Sequence, residues 1–401
     1  MGVWGLKQKK CSQTQHSAMR NRAQYLELII DMSFYSTINQ YKNFNVAEFC
    51  SSITPEKIKT ILERDRVTEK DYLALLSDVA SPFLEQMAQK ADRFTRQHFG
   101  NVIFMFTPLY ISNYCDNACA YCSFGRQQQI KRRHLSADEI RAEAERINAS
   151  GIRHVLVLTG EARAKATPSY CEAAVRILRN FFSSIAIEIY PLTEDEYHGI
   201  IECGADGLTI YQETYDEERY GTLHKGGPKQ DYGFRLDAPE RACRQGVRTV
   251  TVGTLLGLSD PVRDAFFSGL HAAYLQRTFP DVEVSVAFPR LRPLVADFKQ
   301  EYTATDRRLV QMMAAARLFL PTAGMTLSTR ENSRFRNAAL RLGVTRMSAG
   351  VSTAVGGRTL TEATPQFEIA DTRTVDEVKN DLLRLGFQPV MHDWNTRYIE
   401  A

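Results

Sequence analysis

Eight near-continuous apolar runs, separated by segments with helical spacing, constrain the fold of this 401-residue chain more than any other feature. They fall at 102–112, 154–160, 186–192, 207–213, 249–258, 283–291, 325–331 and 344–350. Most do not alternate cleanly between apolar and polar residues, which is how strands buried on both faces of a parallel sheet read. Parallel neighbours need a long crossover connection, usually a helix, and the intervening segments supply one. Ser136 and Glu139 form a capping box that opens a helix up to Ala149, with Gly151 beyond its end. Thr193 and Glu196 open another, which ends near Gly204, and 261–279 and 305–320 supply two longer ones. Eight strand–helix units predict an α/β protein with a (β/α)8 TIM-type barrel. The alternative, an open doubly wound sheet, is disfavoured because no Gly-x-Gly-x-x-Gly follows any of the strands.

Ahead of the barrel, 32–98 reads as short helices forming an N-terminal helical cap, with Ser or Thr near several starts. Residues 1–31 are polar and basic and are expected to be a disordered extension, lacking the apolar core of a secretory signal. The barrel is expected to occupy 99–370, and 371–401 to form a C-terminal helix and tail packed on it. With 50 Lys and Arg against 47 Asp and Glu, the net charge of +3 gives no broad basic field for nucleic acid. No apolar run approaches a membrane span, so no membrane partner is expected and the cytoplasm is the expected location.

In a barrel of this kind, chemistry gathers at the C-terminal ends of the strands. Those ends carry Tyr110, Cys115, Glu161, Glu188, Glu213, Arg290, Arg292, Arg330, Glu331 and Ser348. Strand ends reach solvent, so any one polar residue there needs no further reason; a whole charged ring at the mouths of apolar strands points to a site.

Three of the eight cysteines, Cys115, Cys119 and Cys122, are crowded just after the first strand in C-x3-C-x2-C spacing. Three thiolates on one short loop can ligate three irons of a [4Fe-4S] cubane and leave the fourth open to a small molecule. Structural zinc takes four protein ligands, and no second cysteine pair or His-x3-His lies nearby. Cys171, Cys203 and Cys243 sit among apolar residues of predicted helices and read as core thiols.

C-x3-C-x-aromatic-C, with Tyr121 at the aromatic position, resembles the motif of the radical S-adenosylmethionine superfamily. The resemblance implies that S-adenosyl-L-methionine chelates the open iron and is reductively split to a 5′-deoxyadenosyl radical inside a barrel that excludes water. It also implies cosubstrate roles for Thr159-Gly160-Glu161, where Gly160 allows close backbone approach and Glu161 pairs the methionine ammonium. Glu188 and Glu213 end the third and fourth strands, and Glu213 would meet the ribose or amino group. Arg241 would pair the cosubstrate carboxylate, against the plainer reading of a solvated helix arginine. Gly253 and Gly257 would pack near adenine or mark bends.

From about Ala47 to Tyr398 the chain is further similar to the 2-iminoacetate synthase family, the tyrosine lyases of thiamine thiazole biosynthesis. The likeness is carried by Pro108–Asn113, Val157–Glu161, Tyr211–Tyr215, Phe288–Pro293, Leu327–Glu331 and His392–Trp394. It implies cleavage of the Cα–Cβ bond of L-tyrosine to 2-iminoacetate and p-cresol. Arg330 would fork the substrate carboxylate with help from Ser348, and Tyr110 would contact the amino group. Arg290 and Arg292 would line the same mouth or form rim salt bridges with Glu331 or Glu301. The product imine hydrolyses readily, so hand-off to a thiazole synthase is implied, with reduced flavodoxin or ferredoxin as electron donor. A related tryptophan lyase shares the same logic. A hydrogenase-maturation tyrosine lyase carries a second, C-terminal cluster, and no cysteine follows Cys243 here. A non-catalytic iron–sulfur electron carrier is the alternative of another class; it has no need of Thr159-Gly160-Glu161 or of a charged mouth. The Gly-rich stretch 355–366 is expected to loop over that mouth.

Overall fold

The computed structural model describes residues 33–41, 43–292, 298–360 and 364–392. The expected extension 1–31, Pro293 and Trp394 therefore lie outside the described residues. The chain divides into two compact units, Met1–Phe44 and Asn45–Ala401. In the first, the described helix is Phe34–Gln40.

The second unit contains the expected barrel. Its strands are β1 Val102–Ser112, β2 His154–Thr159, β3 Ser184–Glu188, β4 Gly207–Glu213, β5 Thr249–Thr254, β6 Glu283–Ala287, β7 Gly324–Leu327 and β8 Arg346–Ser348. All neighbours pair in parallel from β2 round to β8, and β1 pairs with both β8 and β2, which closes the ring. Both predicted capping boxes form, at Ser136 with Glu139 and at Thr193 with Glu196, each satisfying amide donors that the first helical turn leaves open.

Several apolar runs extend beyond the paired strand. The run 186–192 starts its ladder earlier, at Ser184, because Asp206 accepts from Ile185 N at 2.8 Å and from Ser184 Oγ at 3.1 Å, tying β3 to the turn before β4. In the run 249–258 the regular strand ends at Thr254; Leu256 still bridges Arg290 in parallel before the left-handed turn at Gly257, where φ is 119°. The run 325–331 leaves the sheet after Leu327, which puts Arg330 on a turn rather than on the strand itself.

Helices Glu69–Leu76 and Leu84–Phe99 of the N-terminal part pack on the barrel helices Pro261–Thr278 and Asp306–Phe319. Tyr72 anchors this seam: it stacks on Phe319 at 4.7 Å and donates to Ala265 O at 2.8 Å, so its buried hydroxyl is satisfied. At the far end of the unit, helix Val375–Arg384 leads into a ninth strand, β9 Gln388–Val390, which pairs in parallel with the start of β1. Arg153, just before β2, donates its amide to Met391 O at 2.9 Å, so β9 fills the seam between β1 and β2 at the N-terminal end of the barrel.

Candidate active site

The site begins with the loop that leaves β1. Its carbonyls converge on one guanidinium: Arg132 donates to Asn113 O at 2.7 Å, Phe124 O at 2.6 Å and Gly125 O at 2.6 Å. Its amides dock on the turn after β2 and on the end of helix Glu217–Leu223 and the loop beyond it: Asp116 N on Glu161 O at 2.7 Å, Ala120 N on Leu223 O at 2.9 Å and Ala118 N on Gly226 O at 2.8 Å. These bonds tie the loop to its surroundings on both sides of the cysteines. Gly160 is the point of closest approach: a Cβ there would lie 2.3 Å from Tyr114 O and 3.2 Å from Cys115 Cβ. The Gly of Thr159-Gly160-Glu161 is therefore needed for the cysteine loop itself to seat on β2.

Cys119 is buried, and Cys115 and Cys122 are half-buried. Burial pushes the Cys119 thiol up to about 12 and also raises Cys122, and neighbouring cysteines add to both shifts. Cys119 and Tyr121 belong to an apolar cluster with Leu223, Leu255 and Leu258. Three soft donors against a dry wall, in a loop held by its own hydrogen bonds, fit a three-cysteine iron–sulfur centre. Cys171 lies in helix Pro168–Leu178, Cys203 caps the end of Glu194–Glu202, and Cys243 lies in Ala238–Arg244.

A cavity with about 540 Å³ of open space lies beside this loop, lined by Tyr121, Cys122, Glu188, Glu213, Lys229 and Arg330 among others. Glu213 ends β4 at a register shift with φ of 71°, a left-handed conformation that costs a non-glycine residue energy. The surroundings impose it. Thr254 Oγ1 donates to Glu213 O at 2.6 Å, and Asp264 accepts from Thr214 Oγ1 at 2.9 Å and Tyr215 N at 2.8 Å. Burial raises the Glu213 carboxyl, but the Lys229 ammonium at 2.5 Å and the Arg235 guanidinium at 3.4 Å overcome this and hold it down at about 2.

Tyr121 donates to His224 Nε2 at 2.9 Å, while His224 Nδ1 bonds Tyr220 O at 2.8 Å. That arrangement requires the neutral tautomer with Nδ1 protonated, and burial pushes His224 down to about 3. Glu188, by contrast, is pushed up to about 7 by removal from water; Arg330 opposes the shift and Glu213 adds to it. Asn117 Nδ2 donates to Glu161 Oε2 at 2.6 Å and Asn117 Oδ1 accepts from Lys229 N at 2.8 Å, which joins β2 to the turn carrying Lys229.

Arg330 also lines the cavity, and burial lowers its basicity. No carboxylate lies within ion-pair distance of it among the described residues; its guanidinium donates to Arg290 O at 3.4 Å and lies 3.6 Å from the centre of the Phe367 ring. Tyr110 donates to Gln366 Oε1 at 2.8 Å and is buried, which keeps its phenol protonated. The hydroxyls of Thr159 and Ser348 are buried without a hydrogen-bond partner among the described residues. Ser348 closes β8 and is not a lining residue of the cavity. Arg241 is pinned to Leu192 O at 2.9 Å and Phe234 O at 2.6 Å, outside the cavity lining, while Arg235 reaches Glu213. Arg290 and Arg292 form the rim salt bridges, both to Glu331 and Arg290 also to Asp306.

Asn117, Lys229, Arg235, Gln366 and Phe367 were not singled out in the sequence. Asn117 lay inside the cysteine motif, and Gly226-Gly227-Pro228 ahead of Lys229 was a turn signal next to a charge. Gln366 closed the stretch expected to loop over the mouth, whose residues 361–363 lie outside the described ones.

The chain matches the model of the Radical SAM superfamily over residues 109–265 and that of the Biotin and Thiamin Synthesis associated domain over 287–388. It is 39% identical over 345 residues to the 2-iminoacetate synthase of Escherichia coli (strain K12), which covers 86% of this chain and 92% of that protein. The chain belongs to the 2-iminoacetate synthase family. It is thus a radical S-adenosylmethionine enzyme and a lyase, and the superfamily's [4Fe-4S] cluster and S-adenosylmethionine are its cofactors. The FeFe-hydrogenase maturase HydG of Carboxydothermus hydrogenoformans superposes with a TM-score of 0.78 at 30% identity, covering 89% of this chain and 82% of that one. Methylornithine synthase shares the fold, with a TM-score of 0.68 at 23% identity over 83% of this chain and 97% of that one. In this family member Cys115, Cys119 and Cys122 would hold the cluster, with Glu161, Glu213 and the Thr159 hydroxyl beside the cosubstrate. Among the described residues no helix is long and apolar enough to cross a membrane.

Proposed function

We propose that this enzyme cleaves the Cα–Cβ bond of L-tyrosine to 2-iminoacetate and p-cresol, for thiazole formation in thiamine biosynthesis in the cytoplasm. The bound cluster and S-adenosylmethionine supply a 5′-deoxyadenosyl radical that abstracts hydrogen. The protein's own part is to hold an amino acid against it. The observation that carries the reading is Arg330, a half-buried guanidinium that lines the cavity beside the cysteine loop and has no carboxylate at ion-pair distance among the described residues. A cation partly withdrawn from water without a counter-charge is costly, and a substrate carboxylate would complete a bidentate pair. Tyr110 and Ser348 are placed as positioning groups for the same end of the substrate. Glu161 and Glu213 take the cosubstrate, with Arg241 bracing the helix Ala238–Arg244 behind them.

The imine product would be passed to a thiazole synthase, and reduced flavodoxin or ferredoxin would supply the electron. The test is an anaerobic assay of the reconstituted protein with dithionite, S-adenosylmethionine and L-tyrosine. Formation of 5′-deoxyadenosine, p-cresol and glyoxylate, the hydrolysis product of the imine, together supports the reading. Deoxyadenosine without p-cresol moves the substrate elsewhere, with L-tryptophan next.

A further inference from the structure

The segment 364–371 lines the cavity as a strap fastened near both of its ends. Pro365 bridges Ala354, Gln366 N donates to Thr353 O at 3.0 Å, and Thr353 Oγ1 returns a bond to Phe367 O at 2.9 Å. Three residues on, Ala370 N donates to Thr329 O at 2.8 Å, next to Arg330 in the chain. Asp371 then locks the end, paired with the buried Arg336, which also donates to Ser348 O. The two side chains this strap delivers into the cavity are Gln366 and Phe367.

Each touches one of the groups assigned to the amino-acid end of the substrate. The Phe367 ring lies 3.6 Å from the centre of the Arg330 guanidinium, close enough for face-to-face stacking. The guanidinium N–H bonds lie in its plane, so a ring over one face leaves the donor edge free while keeping water off that side of the charge. Gln366 Oε1 accepts a hydrogen bond from the Tyr110 hydroxyl at 2.8 Å. With its hydrogen committed, the Tyr110 oxygen faces any other group as an acceptor, and an amino group offers N–H donors.

We propose that Phe367 and Gln366 are positioning residues for the amino-acid substrate: Phe367 sets the plane of Arg330 toward the carboxylate, and Gln366 fixes Tyr110 as an acceptor for the amino group. This rests on the reading of Arg330 and Tyr110 as amino-acid contacts, not on the identity of the aromatic side chain. Holding the nitrogen still matters because the hydrogen to be abstracted must lie in reach of the radical source, and small misplacement costs rate steeply.

The experiment uses the reconstituted holoenzyme and measures binding of L-tyrosine and of L-tryptophan, then 5′-deoxyadenosine and p-cresol (or 3-methylindole) formed. Phe367→Leu is expected to weaken binding of whichever amino acid the wild type takes by about tenfold, with Phe367→Tyr restoring it. Gln366→Met is expected to leave binding near the wild-type value but to raise the ratio of 5′-deoxyadenosine to cleaved product, as abstraction and cleavage uncouple. Iron content and S-adenosylmethionine affinity should be unchanged in all three. Wild-type binding and coupling in both Leu and Met variants overturn the proposal, as does equal loss in Phe367→Leu and Phe367→Tyr, which would mean packing alone. If the wild type binds tryptophan and not tyrosine, the tyrosine reading falls while the strap is still judged on tryptophan. If it binds neither, both fall.

Discussion

Lys229 Nζ lies 2.5 Å from the Glu213 carboxylate and 3.3 Å from the Tyr121 hydroxyl, tying the end of β4 to the cysteine loop through one half-buried cation. Glu213 is the residue this cation holds charged in a cavity wall, and it does so although the backbone there is left-handed. Lys229→Met should therefore act on the carboxylate first. Leaving a buried charge with only the longer Arg235 contact costs about 3 kcal/mol, and S-adenosylmethionine affinity should fall with it. Thermal unfolding and equilibrium binding of the cosubstrate measure both; an unchanged affinity would remove Glu213 from the cosubstrate site.

The cysteine loop depends on the glycine beneath it. Gly160→Ala places a methyl group 2.3 Å from Tyr114 O, so the loop must move or the strand must give. The expected cost is about 1–3 kcal/mol, with a lower iron content after reconstitution, read by metal analysis. Full iron loading and wild-type stability would show that the contact relaxes freely.

Cys119→Ala should abolish cluster binding and with it all cosubstrate cleavage. Visible absorbance of the cluster and 5′-deoxyadenosine formation check this, and retained cleavage would contradict the assignment.

Arg330→Lys keeps a cation but loses the planar fork and its stack on Phe367. Cluster content should be unchanged while KM for the amino acid rises by roughly ten- to a hundredfold, in line with a lost charge-assisted bond or two. A KM at the wild-type value would place the carboxylate elsewhere.

Glu188 carries a pH signature. Its carboxyl is pushed up to about 7 by removal from water, whereas in the unfolded chain it titrates near the ordinary value of about 4.3. A raised folded value means the folded state binds the extra proton. The contribution to stability is therefore complete below the unfolded value and is lost as pH rises through about 7. Asp264, also pushed up to about 7 by burial, titrates in the same window, so the difference between wild type and Glu188→Gln is the quantity to follow. Denaturant unfolding from pH 5 to pH 8 should show the Gln variant losing less stability than the wild type. Parallel profiles would mean that Glu188 titrates normally.

The barrel was legible because its signals are local and repeated. Runs of apolar residues marked each of the eight strands, and Ser136 and Thr193 marked helix starts through bonds that reach only three residues along the chain. The cysteines and Thr159-Gly160-Glu161 were legible for a related reason, since a short loop and one turn hold all of their relevant atoms. β9 was not: three residues that include Pro389 carry no strand pattern of their own and pair only because β1 leaves an edge open there.

Within the site the same division holds. The sequence by itself determined the donors, the fold class and the strand ends at which charge would gather, because these follow from residue type and spacing. Only the tertiary structure decided which charges meet. Arg235, and not Arg241, reaches Glu213; Arg290 and Arg292 are taken by Glu331, while Arg330 meets no carboxylate among the described residues and rests against Phe367. Those pairings join residues 22 to 41 positions apart on different elements. Side chains so separated come together only when the ring of strands closes, and electrostatic energy depends on the distance that closure sets.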